Sequence, residues 1–103
     1  MSYVNIGPEK FNELMRDDSS VVIDVRPEAE LVEGEIEGHI TINFFDPTFQ
    51  EQIDELDRDK TYLLHCRSGN RSGKACAMMA QMGFEKLYNL DGGIQAWNEF
   101  KLG

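Results

Sequence analysis

The sequence predicts an α/β domain built on a mainly parallel sheet. Short apolar runs alternate with segments of helical period along the whole chain. One run, Val21-Val22-Ile23-Asp24-Val25, is β-branched and nearly continuous, as in a strand covered on both faces. A length of 103 residues suits a single domain, residues 1–103, whose core needs no disulfide staples.

The elements follow in order. Residues 3–6 form a first strand. Gly7-Pro8 then opens a helix, because proline suits the first helical position, and Phe11, Leu14 and Met15 give it an apolar stripe. The strand at 21–25 is followed by a loop rich in Glu and Gly and a short strand at 40–43. Thr48-Phe49-Gln50-Glu51 matches a capping box and starts a helix carrying Phe49, Ile53 and Leu56. Residues 61–65 form the next strand. Residues 72–82 form a helix that Gly83 ends. A last strand at 87–90 precedes Asp91-Gly92-Gly93 and a helix with Ile94 and Trp97. Ligands of such sheets bind beyond the carboxyl ends of the strands. The strand at 61–65 delivers Cys66 to such an end.

The net charge of −9 argues against nucleic acid and anionic lipid as partners, since both need basic surface. Arg67, Arg71 and Lys74, all within eight residues of Cys66, form a local basic exception. Most of the acid lies at 28–37 and 51–59 and reads as solvated surface. The opening Met1-Ser2-Tyr3-Val4-Asn5-Ile6 lacks the basic region and apolar core of a signal peptide, and no segment is long and apolar enough to span a membrane. The expected location is the cytoplasm. There a disulfide between the two cysteines, Cys66 and Cys76, is disfavoured, and two histidines do not complete a zinc site.

The segment Cys66-Arg67-Ser68-Gly69-Asn70-Arg71 carries the chemistry. It places a thiol between a strand end and a helix start, where backbone N–H groups and the helix dipole stabilise negative charge. A free cysteine ionises near ~8.5, and such surroundings lower that value towards a nucleophilic thiolate. Gly69 lets the backbone turn so that the amides of residues 67–71 form an anion-binding nest. Arg71 suits an oxyanion through bidentate contacts, and Arg67 either does the same or lies in solvent. Ser72 lends a hydroxyl or caps the helix. His65 neighbours Cys66 on a strand, so its side chain points to the other face and makes a structural hydrogen bond. Asp24 and Arg26 order neighbouring loops. Cys76 and Trp97 belong to the core. No metal and no organic cofactor are expected.

Four motifs make the chain resemble the rhodanese-like family over nearly its whole length. Ile23-Asp24-Val25-Arg26 with Glu30 resembles the D-V-R…E motif, and Gly38-His39-Ile40 the G-H-I motif. The segment from Cys66 to Ser72 is similar to the C-R-S-G-x-R-S loop. Asp91-Gly92-Gly93 with Trp97 resembles the closing D-G-G…W motif. The resemblance implies a five-stranded, mainly parallel sheet with helices on both faces. It also implies sulfur transfer from a donor such as thiosulfate, through a Cys66 persulfide, to a thiol or protein acceptor, with His39 mainly structural. Residues 41–45, Thr-Ile-Asn-Phe-Phe, depart from the small residues and Pro usual after G-H-I; Phe44 or Phe45 shapes the site rim, with at least one in the core. The rival is a cysteine phosphatase or arsenate reductase, whose H-C-x5-R loop is one residue longer: here four residues separate Cys66 from Arg71. No clear general-acid aspartate is marked, Asp91 being the one candidate. A non-catalytic binding module and a protein-to-protein sulfur carrier are the other readings. The intact loop weighs against the module.

Overall fold

A computed structural model describes residues 3–103; the reading of the opening residues falls partly on Met1 and Ser2, outside that range. Five strands form one sheet: β1 (Val4–Ile6), β2 (Ser20–Asp24), β3 (Ile40–Thr41), β4 (Thr61–His65) and β5 (Leu87–Leu90). Their order is β1-β5-β4-β2-β3, and every pairing is parallel. Three helices connect strands, α1 (Pro8–Leu14), α2 (Phe49–Asp54) and α3 (Asn70–Gln81), and α4 (Gly93–Leu102) follows β5.

The period-2 alternation of the central strands sorts the core into two layers. Ile23, Tyr62, Leu64 and Leu87 pack under Phe49 and Ile53 of α2 and Ala75, Cys76 and Met79 of α3. Val22, Leu63 and Leu90 pack on the other face with Phe11 of α1 and Ile94 and Trp97 of α4. Helices therefore cover both faces. No helix of the described residues is long and apolar enough to cross a membrane.

Three local expectations are corrected. Thr48 precedes α2, but the capping box does not form. Its hydroxyl instead donates to Asp46 Oδ1 (2.8 Å) and accepts from Gln52 Nε2 (2.9 Å), so Asp46 anchors the entry. The strand expected at 40–43 ends at Thr41, because Asn43 Oδ1 turns the chain by accepting from Phe45 N (3.0 Å). Even so, the N–H groups of Ile42 and Phe44 bond to the Asp24 and Val25 carbonyls. That run carries Phe44 and Phe45 along the end of β2. Finally, residues 28–33 are not featureless loop but a 3-10 helix, Glu28–Glu33.

Candidate active site around Cys66

Cys66 follows β4 directly, at the middle of the sheet, between the two strands where the order of connections reverses. Its side chain is 1% exposed. The sulfur accepts the Gly69 N–H (3.2 Å) and the Ser72 N–H (3.4 Å), and lies 3.3 Å from the Ser72 hydroxyl. Burial pushes the thiol up. The Ser72 hydroxyl and the N–H groups of Ser72, Gly69 and Ser68 outweigh it and leave the thiol below its ordinary value. Cys76 shows the contrast: burial without such donors pushes it up to about 12.

The cradle depends on backbone conformations that the loop alone does not explain. Gly69 sits in the left-handed region (φ 102°) at the N-cap of α3, which turns its N–H back to the sulfur. The helix therefore starts at Asn70, two residues earlier than its periodicity suggests. Ser72 lies inside the first turn and does not cap it. Its hydroxyl also reaches Asn89 Oδ1. One proton thus faces two acceptors.

Asn89 is a residue that sequence reasoning missed. It is buried, and its amide donates to Asn5 Oδ1 (2.9 Å) and Gly69 O (3.0 Å). Those two bonds fix the amide's orientation, so its oxygen must face Ser72. A polar residue inside the apolar run Leu87-Tyr88-Asn89-Leu90 was the available signal. Gly93, part of the Asp91-Gly92-Gly93 motif, supports the loop as well. Its φ is +58°, and a side chain there would overlap the Arg67 carbonyl group and come within 2.6 Å of Cys66 O. The bare backbone lets α4 dock on the loop, where Ile94 N donates to Cys66 O (2.9 Å).

The expected cations are present but not free. Arg71 makes two bonds to Glu30, Nη1 to Oε2 at 3.0 Å and Nη2 to Oε1 at 2.8 Å. Arg67 Nε reaches Glu33 Oε1 at 3.2 Å. The acids at 28–37 are therefore not all solvated surface, because two of them come from the 3-10 helix to cover the loop. Ser68 and Asn70 are exposed on it. Lys74 makes no ion pair among the described residues and lines a cleft of about 380 Å³ with Tyr3, Asn5 and Asp91, on the side of the loop bounded by Ser68, Gly69 and Asn70.

Asp24 and Arg26 order the surrounding segments. Arg26 is fully buried, binds both Asp24 oxygens and donates to the carbonyls of Glu30 and Gly34. Between residues 34 and 40 the Gly-x-Ile pattern occurs twice, and the structure uses the first copy in that network. Gly34 accepts from Arg26 and Ile36 is fully buried, whereas Gly38 and Ile40 are exposed. His39 bonds to Glu35 (3.0 Å) and Thr41 (3.4 Å). His65 does point away from Cys66, but the hydrogen bond expected for it is missing. Both ring nitrogens are buried without a partner among the described residues, and Asp24 Oδ2, already held by Arg26, is 3.9 Å away. Phe44 packs on Phe49 in the core, and Phe45 is 64% exposed beside Arg71. Among the described residues, no three His, Cys, Asp or Glu side chains gather as metal ligands would.

A model of the rhodanese-like domain matches residues 7–100. The chain belongs to the rhodanese-like domain family. It is 40% identical over 81 residues to YtwF of Bacillus subtilis, which covers 79% of this chain and 76% of that one. It is 32% identical over 95 residues to the thiosulfate sulfurtransferase GlpE of Ectopseudomonas mendocina, covering 92% and 84%. The crystal structure of a rhodanese-related protein from Thermoplasma volcanium superposes with a TM-score of 0.82 at 34% identity, covering 95% and 93%. Longer relatives contain the same domain. The tRNA uridine(34) hydroxylase of Bartonella bacilliformis is 32% identical over 91% of this chain, which spans 32% of that protein.

Proposed function

We propose that this rhodanese-like protein is a sulfurtransferase that carries a sulfane sulfur as a persulfide on Cys66. The observation that carries this reading is the cradle of two N–H groups and one hydroxyl around a buried sulfur at the end of β4. Neutral dipoles fixed in place stabilise a thiolate there before any substrate arrives. In the first half-reaction the Cys66 thiolate attacks the terminal sulfur of a donor. A new S–S bond forms, the donor's own bond to that sulfur breaks, and the donor leaves as an anion: sulfite from thiosulfate, a thiolate from an organic persulfide. In the second, an acceptor thiolate attacks the outer sulfur and the Cys66 thiolate departs. Gly69 and Ser72 hold the charge in both resting states. Ser68, Asn70 and the two arginines form the rim that the donor meets. A reducing, cytoplasmic setting suits the chemistry, because it keeps Cys66 free between turnovers.

The test is intact mass after incubation with a sulfur donor. The protein should gain one sulfur atom, lose it to dithiothreitol, and gain none as Cys66→Ser. Absence of the adduct with both thiosulfate and an organic persulfide sinks the proposal.

A further inference from the structure

We propose that Asn89 is a positioning residue of the Cys66 site: its side-chain oxygen competes with the sulfur for the Ser72 proton and so limits how fully that proton serves the nucleophile. This role rests on the sulfur-transfer reading above and adds to it a residue that tunes Cys66 without touching it.

Asn89 stands where an apolar residue would serve packing better. It shares a face of β5 with Leu87 and pairs in register with Leu64, in the apolar layer that α3 covers. At 4% exposure its amide is costly unless hydrogen-bonded, and its bonds tie the Cys66 loop and α3 to β1. The helix also makes room for it. A Cβ on Gly73 would come within 3.3 Å of Asn89 Nδ2, so α3 carries a glycine on this face despite its poor helix propensity.

The partners dictate where each proton lies. A backbone carbonyl only accepts, so the Asn89 atom facing Gly69 O is the amide nitrogen. The atom facing Ser72 is then the oxygen, which cannot donate, and the proton between them belongs to the hydroxyl. Burial raises the Cys66 thiol, and the same hydroxyl comes first among the groups that lower it. With the proton on the sulfur, Asn89 keeps a buried oxygen without its donor. With the proton on Asn89, the sulfur loses its hydroxyl. The amide's hold on Gly69 is duplicated, because Gly69 O also accepts the Gly73 N–H (3.0 Å). Its hold on the Ser72 proton is therefore the contact through which Asn89 acts on Cys66.

The experiment follows thiolate absorbance against pH, and the pH profile of sulfur loading from thiosulfate, in the wild type, Asn89→Leu, Ser72→Ala and the double variant, with Cys66→Ser as the blank. Asn89→Leu leaves the sulfur as the hydroxyl's one acceptor, so Cys66 should ionise about half a pH unit lower, within the usual worth of a hydrogen bond. Ser72→Ala removes the donor and should raise the titration by about one pH unit. Adding Asn89→Leu to Ser72→Ala should move it no further, and the midpoint of the loading profile should follow the titration in each protein. A merely structural Asn89 would loosen the loop, so its loss would raise the titration in both backgrounds. Asn89→Asp, whose charged oxygen holds the proton more firmly, should raise the titration, and this rise too should vanish with Ser72→Ala; that variant carries the test where Asn89→Leu folds poorly. A rise in Asn89→Leu, or a shift from either Asn89 substitution that survives Ser72→Ala, overturns the inference and leaves sulfur transfer standing. Sulfur gained from neither thiosulfate nor an organic persulfide removes the sulfur-transfer reading and this role with it.

Discussion

Replacing His65 by Leu should make the protein less sensitive to mild acid. Burial depresses the imidazole from 6.5 to about 4; the Asp24 carboxylate opposes this and Arg26 adds to it. The folded value lies below the unfolded one, so the unfolded chain takes the proton first. Stability is full above about pH 6.5 and is lost as pH falls towards 4. At 1.36 kcal/mol per unit, the difference between 6.5 and about 4 amounts to about 3 kcal/mol, of which about 2 kcal/mol is gone by pH 5. Asp24 and Glu30 are held below the ordinary carboxylate range, Asp24 by Arg26 against its burial and Glu30 by Arg71, so their own losses come at lower pH. The window between pH 7 and 5 therefore isolates His65 from both. Urea unfolding of wild type and His65→Leu at pH 7 and pH 5 reads the difference. The wild type should lose about 2 kcal/mol more than the variant over that interval. The variant should be no less stable at pH 7, because it also removes two buried nitrogens without partners. Equal losses in the two proteins would refute the reasoning.

Three further outcomes follow from the cradle. Asn89→Asp replaces an amide oxygen by a charged one that competes for the Ser72 proton. It should raise the Cys66 thiol by about one unit, read by thiolate absorbance against pH; Cys76, pushed up to about 12, stays silent in that range. An unchanged titration would show that the hydroxyl does not serve the sulfur. Gly93→Ala should cost about 3 kcal/mol or more, because a methyl group meets the Arg67 carbonyl at a left-handed φ; a melting temperature within a degree or so of the wild type would contradict the docking of α4 on the loop. The Cys66 titration should shift little between low and high salt, since N–H and O–H dipoles lower it and both loop arginines are paired. A rise of about one unit in salt would point to the arginines instead.

The sheet was legible because its signals are local. The strands at 61–65 and 87–90 coincide with β4 and β5, where apolar runs are bounded by clear breaks. The nucleophile candidate was legible for the same reason: a strand end, a cysteine, a glycine and a helix start follow each other in six residues. What escaped was the set of contacts made across the fold. Glu30 lies 41 positions from Arg71, and Glu33 lies 34 from Arg67, so no spacing rule marks either pair. Asn89 reaches Asn5, 84 positions away. The repeated Gly-x-Ile invited a choice by letter match, and burial chose the other copy, since only Ile36 can enter the core from where Arg26 pins Gly34. The missing bond of His65 was unreadable because its obvious acceptor, Asp24, spends its oxygens on Arg26.

The conflict between an acidic chain and an anionic intermediate disappears once the source of stabilisation is clear. Cations attract anions at long range, whereas N–H groups act at contact and add no net charge to the site. This protein separates the two roles. The N–H groups of Gly69 and Ser72 face the Cys66 sulfur, and Glu30 and Glu33 pair with the two loop arginines. A thiolate can therefore exist at the end of β4 without the site becoming a general anion trap. On the sulfur-transfer reading proposed above, selectivity falls to what reaches a cysteine that is only 1% exposed, which favours a partner presenting a single narrow sulfur atom. A bulky tetrahedral oxyanion would have to open both the Glu30–Arg71 clasp and the loop that Asn89 and α4 hold closed.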